Sequence, residues 1–181
     1  ILRRIGILLA VLLVVCIGYV IYVMVAYYRL PDNQPLTVSQ SGEYAQFEDR
    51  APVTTRKAYW VMTYNIGFGA YQRDYSFFMD GGKYSRCFSK QSGIDAINGA
   101  ADYAMEEKPD FMIFQEVDRK STRSYHVNQE NLITEKFANY YEDFAVNYDS
   151  AYLFYPFNEP IGKSYSGIAF YSKYLITSAV R

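Results

Sequence analysis

The chain is poor in the residues that build compact metal and disulfide sites: 181 residues include one histidine and two cysteines. A single histidine, His126, excludes a zinc site made from a histidine cluster within this chain. Cys16 lies inside a long apolar run and Cys87 far away in a loop-like region, so the two make no disulfide framework, and no Cys-x-x-Cys pair is present. A basic excess is also missing. Arg3, Arg4 and Arg29 are three of the 18 basic residues, and no acid precedes Asp32, so the rest of the chain sets 15 basic against 19 acidic residues. Proteins that grip long nucleic acid carry a basic stripe, and this acidic balance argues against that class. There is no internal repeat and no low-complexity segment.

Aromatic residues, by contrast, are abundant, with 20 tyrosines among them. They fit an aromatic-rich core and strands, or a sugar- or membrane-facing surface. Residues 5–28, IGILLAVLLVVCIGYVIYVMVAYY, contain no charge. About 20 apolar residues suffice to cross a bilayer as a helix. Tyrosines 19, 22, 27 and 28 gather toward one end, as at a membrane boundary, and Arg3 and Arg4 favour a cytoplasmic N-terminus. A cleaved signal peptide has a shorter apolar region and a small-residue cleavage site. The run therefore reads as a retained single-pass anchor, with the rest of the chain extracytoplasmic at a cell membrane.

Three regions follow: 1–29, a cytoplasmic stub and transmembrane helix; 30–57, a proline-containing polar linker; and 58–181, a domain. Within the domain, 58–66 and 110–117 are apolar and rich in β-formers, which predicts buried strands. Residues 67–88 form a long glycine-containing loop. Apolar spacings of three and four predict helices over 89–107, stopped by Pro109, and over 128–140. Residues 143–148, 167–171 and 175–180 have strand character. The order strand, helix, strand, helix, strand, strand fits an α/β layered domain.

Two polar residues stand where apolar strands hand over to loops, Asn65 and Glu116. Ligand sites in α/β sheets form at such strand ends. A buried carboxylate without a basic partner is costly, and a hard divalent cation would neutralise it. The alternative from the residues alone is that Asn65 caps a turn and Glu116 pairs with Arg119 or Arg123. Those arginines and Lys120 and His126 sit close enough in sequence to line one loop, either as phosphate contacts or as a solvated connection to the next helix. Asp80-Gly81-Gly82 predicts a turn, with a lesser prospect of facing substrate. Gly162-Lys163-Ser164 is not a nucleotide-binding loop, because Phe157 occupies the place of the first glycine.

The segments VMTYNIGFGAY, KPDFMIFQEVD, DRKSTRSYHVNQ and SGIAFYSKYLI together resemble the endonuclease/exonuclease/phosphatase superfamily, over about residues 59–181. The resemblance implies a partial four-layer α/β sandwich, two mixed β-sheets flanked by helices, here preceded by the transmembrane helix. It implies Mg²⁺ (or Mn²⁺) held by Glu116 with Asn65 in the same cluster, and hydrolysis of a phosphate mono- or diester by activated water. Candidate substrates are phospholipid head groups, nucleic acids and small phosphorylated molecules, with no obligate protein partner. The family's Gly-Asp-x-Asn and Ser-Asp-His segments are not among these residues and are expected beyond Arg181. The chain starts at Ile1 and ends within a strand-like pattern, so it reads as an N-terminal portion, inactive alone. Two other classes compete: a membrane-tethered binding or scaffold protein that keeps the fold without the chemistry, and a purely structural membrane protein.

Overall fold

The structure, a computed structural model, describes residues 1–38 and 52–181. The apolar run forms α1 (Leu2–Ala26), a 25-residue helix with no buried residue. It is long and apolar enough to span a membrane or to serve as a signal sequence.

Of the linker read over 30–57, residues 39–51 lie outside the described residues. Strand β1 (Pro35–Leu36) pairs antiparallel with β6 (Ala179–Val180), so part of the tether is stitched to the far end of the chain. Arg181 reinforces the seam, its backbone N–H donating to Gln34 O at 2.9 Å and its Nη1 to Pro31 O at 2.6 Å. Proline is tolerated at Pro35 because it opens an edge strand. The strand expected over 175–180 shrinks to these last two paired residues.

The domain is built on a four-stranded mixed sheet of β2 (Val61–Asn65), β3 (Phe111–Asp118), β4 (Tyr141–Asp149) and β5 (Tyr165–Ser172), in the order β2-β3-β5-β4. Strands β2 and β3 run parallel, which requires a crossover, and α2 (Lys90–Glu106) supplies it. Ser89 caps α2 by accepting from Ser92 N at 3.0 Å, while Ser92 Oγ accepts from Ser89 N at 2.9 Å. Helix α3 (Gln129–Lys136) starts on Asn128, whose side chain accepts from Asn131 N. It ends earlier than its apolar spacing predicts. Phe137 and Tyr140 leave the helix and enter the core, and Tyr140 donates to Pro109 O at 2.7 Å.

The core lies between one sheet face and the two helices. Met112, Phe114, Phe144, Ala169 and Tyr171 of the sheet meet Ile97, Ala101 and Ala104 of α2 and Ile133 and Phe137 from the α3 region. The opposite sheet face is more open; Val61 is 59% exposed. Among the described residues the architecture is thus α/β with three α-helices and two sheets, of which β1–β6 is the smaller.

Candidate functional site

Strand β3 does not run straight to its end. Phe114 pairs with Ala169 and Val117 with Gly167, so two residues of β3, Gln115 and Glu116, face a single residue of β5. The extra residue is a β-bulge, which breaks the simple alternation and re-aims a side chain. Glu116 takes φ 56° there, a left-handed conformation that is uncommon for any residue other than glycine and that concentrates at functional sites. Strand β4 carries a second irregularity, between Val146 and Tyr148 against the same stretch of β5, and it frees Asn147. Both displaced residues line one cavity of about 620 Å³, with Asn65, Tyr71, Asp80 and Arg123.

The two residues singled out from the sequence meet in that cavity. Asn65, the last residue of β2, donates from Nδ2 to Glu116 Oε1 at 2.9 Å. Its Oδ1 accepts from Gly67 N, also at 2.9 Å, so Asn65 caps the turn and holds the carboxylate at once. Glu116 is 41% exposed at its side chain, and its other oxygen, Oε2, stands 4.0 Å from Arg123 Nη1. The turn after Asn65 needs Gly69 at φ +76°, where a Cβ would come within 2.9 Å of Gly93 O on α2.

Arg123 is anchored from behind. Its Nε and Nη2 donate to the two carboxylate oxygens of Asp118 at 3.1 and 3.0 Å, and Ser124 Oγ adds a third bond to Asp118 at 2.8 Å. The guanidinium also lies over the Phe68 ring, 4.0 Å from its centroid. Gln129 ties the cluster to its surroundings, accepting from Asp118 N and donating to Phe68 O. The Nε–Nη2 edge of the guanidinium is therefore committed to Asp118, and Nη1 is the nitrogen turned toward Glu116. Tyr71, in the same cavity, is held protonated above its ordinary range, first by burial and then by the charges of Asp80 and Glu116. Its hydroxyl is a hydrogen-bond donor there.

Arg119, Lys120 and His126 do not join this group. Arg119 turns to the helix side of the sheet, where it forms a two-pronged pair with Glu130 and lies over the Phe144 ring at 3.9 Å. His126, exposed, lines a neighbouring cavity of about 590 Å³ with Arg119, Lys120, Asp149 and Lys163. Lys163 pairs with Asp149 at 3.2 Å. The loop that holds all four residues in sequence thus divides them between two sites. Asp80 ends a short 3₁₀ turn (Phe78–Asp80) closed by Gly81 at φ 81°, and it faces the Glu116 cavity.

Asp118, Ser124, Gln129 and Asn147 were not among the sequence candidates. Asn147 carried a weak signal as a polar residue within an apolar strand; Asp118 carried none, since its partner Arg123 is found only once the chain folds back. Among the described residues there is no group of three or more His, Cys, Asp and Glu side chains able to hold a metal. The Glu116 cavity offers one well-placed carboxylate, a second from Asp80, and amide oxygens. That donor set suits a hard cation retaining several waters, not a closed protein cage. Comparison with protein-family models, with curated proteins and with solved structures yields no match.

Proposed function

We propose that this chain carries the metal-binding part of a divalent-metal-dependent phosphoesterase tethered to a membrane by α1. The observation that supports it most is Glu116, turned out of β3 at φ 56° and held by Asn65 at 2.9 Å inside a polar cavity at the sheet margin. A strained carboxylate fixed by an amide, with Oε2 facing the cavity 4.0 Å from Arg123 Nη1, places a carboxylate oxygen and a phosphate-binding cation side by side, as a ligand of Mg²⁺ or Mn²⁺ beside a phosphate contact requires.

In this reading Glu116 Oε2 and Asp80 hold the cation, and Asn65 orients Glu116 through Nδ2 while its Oδ1 accepts from Gly67 N. The cation, when bound, polarises a phosphoryl oxygen and offsets the charge that builds on phosphorus-bound oxygens during attack by water. Arg123 presents Nη1 to a phosphate oxygen from a position fixed by Asp118. Tyr71 donates its hydroxyl to the same group. The open face of the sheet, with Val61 exposed, is where the second sheet of a four-layer sandwich would stack. A general base is not supplied by His126, which lines the other cavity. Arg3 and Arg4 on the N-terminal side of α1 support an extracytoplasmic placement of the domain.

The test is a Mn²⁺ titration of the full chain in detergent micelles, followed by electron paramagnetic resonance. Saturable binding that weakens at least about tenfold in Glu116→Gln and is competed by Mg²⁺ is the expected result. Absence of saturable binding, or equal binding by Glu116→Gln, overturns the assignment.

A further inference from the structure

We propose that the aromatic loop 152–157 inserts into the bilayer surface beside α1 and holds the Glu116 cavity close to the lipid headgroups. The insertion of the loop rests on α1 crossing a membrane; what it brings to the Glu116 cavity rests on the phosphoesterase reading.

The loop touches the helix at three points. Tyr152 N donates to Tyr22 Oη and Phe154 N to Tyr19 Oη, each at 3.3 Å, and the Phe154 ring meets the Tyr19 ring edge-on at 5.6 Å. Tyr19 and Tyr22 are three residues apart and so lie on one face of α1. These contacts set the depth of the loop. A 25-residue helix is about 37 Å long against a hydrocarbon core of about 30 Å. Centred in that core, α1 extends about 3–4 Å beyond it at each end. Tyr22 lies about 6 Å and Tyr19 about 10 Å from Ala26 along the axis, so both sit within about 7 Å of the core boundary, on its inner side. Interfacial segments bury their apolar faces about 5–10 Å deep.

The composition of the loop matches that depth. Residues 150–158, SAYLFYPFN, carry no charge. Phe154, Tyr155 and Phe157 are 50%, 61% and 85% exposed, an unusual amount of aromatic surface for a solvated loop. Aromatic rings of this kind populate membrane–water boundaries. The edge continues from the loop to the site. The Tyr155 ring meets Phe78 at 5.7 Å, and the residues on either side of Phe78, Phe77 and Met79, line the Glu116 cavity. With the loop in the interface, a phosphate ester carried by a lipid headgroup reaches the cavity from the bilayer without leaving it.

The full chain reconstituted in palmitoyl-oleoyl phosphatidylcholine vesicles, with and without brominated acyl chains, tests this. Trp60 is the single tryptophan and is exposed, so a Trp60→Phe background permits one reporter at a time. Phe157→Trp reports the loop, Val14→Trp the middle of α1, and Tyr103→Trp, on the exposed side of α2, the body of the domain. The expected result is quenching of both Val14→Trp and Phe157→Trp, the latter by about twofold and most strongly with bromines near the headgroup end of the chain, as for interfacial burial. Tyr103→Trp stays unquenched. Quenching of Val14→Trp alone overturns the loop insertion while leaving the anchor intact. Quenching of neither overturns both, and quenching of all three reporters means an unfolded chain on lipid, which also overturns it. None of these readouts depends on metal binding, so they stand or fall separately from the phosphoesterase reading.

Discussion

Arg123→Met is the sharpest perturbation this site allows. Asp118 is fully buried and Arg123 is 9% exposed at its side chain, so solvent screens their pairing little. Removing the guanidinium leaves Asp118 with Ser124 Oγ as its remaining side-chain donor and takes away the cation over Phe68. Breaking one partner out of a buried, hydrogen-bonded ion pair costs about 3–5 kcal/mol, a large share of the roughly 5–15 kcal/mol that holds a domain folded. The Lys136–Asp102 pair, 39% and 55% exposed, is the internal comparison; Lys136→Met is expected to cost less than about 1 kcal/mol. Urea unfolding of the full chain in micelles, followed by near-ultraviolet circular dichroism of its many tyrosines, measures both. Asp118→Asn combined with Arg123→Met should recover part of the loss, with a coupling of about 2–3 kcal/mol. If Arg123→Met matches Lys136→Met within error, the cluster behind Glu116 is not the support described, and Nη1 is not held in place by it.

Three further outcomes are expected. Asn65→Ala removes the donor to Glu116 and the acceptor for Gly67 N together, and should weaken Mn²⁺ binding by about 10–100-fold, the usual effect of losing a residue that orients a ligand; an unchanged titration contradicts that role. Burial pushes the Cys87 thiol up to about 12, so in a Cys16→Ser background its alkylation at pH 8 should run at least about a thousandfold slower than that of a free thiol and recover in urea. The proton retained by Cys87 stabilises the fold fully below about pH 8.5, where the unfolded thiol is still protonated, and this contribution is lost as pH rises toward 12; rapid native alkylation refutes both statements. Glu142 is raised above its ordinary value chiefly by burial, so its contribution is whole below the unfolded carboxyl range and is lost as pH rises through the folded value. Glu142→Gln should therefore raise the thermal midpoint at pH 7 and show a smaller difference near pH 4; a lower midpoint at pH 7 means that the Thr134 bond to the carboxylate outweighs burial.

What the sequence determined by itself was local. The uncharged run made α1 a helix, because every residue in it agrees on an apolar surface. Apolar spacing placed helices over 89–107 and 128–140, and α2 and α3 begin there on the caps Ser89 and Asn128, because a cap acts on backbone groups two or three residues away. Asn65 and Glu116 stood out as polar residues closing apolar strands, and they lie together. What the tertiary structure alone decided depends on partners distant in the chain. The turn of Glu116 into the cavity exists because β3 holds one residue more than its pairing with β5 can absorb, a mismatch that neither strand displays alone. Arg119 and Arg123, neighbours in one loop, end on different sides because Glu130 and Phe144 claim one while Asp118 and Phe68 claim the other. Likewise β1 is a strand through Val180 and Ala179, and the aromatic loop meets α1 through Tyr19 and Tyr22. Pairing and burial are properties of surfaces brought together by folding, and periodicity within one segment carries no record of which surface will face it.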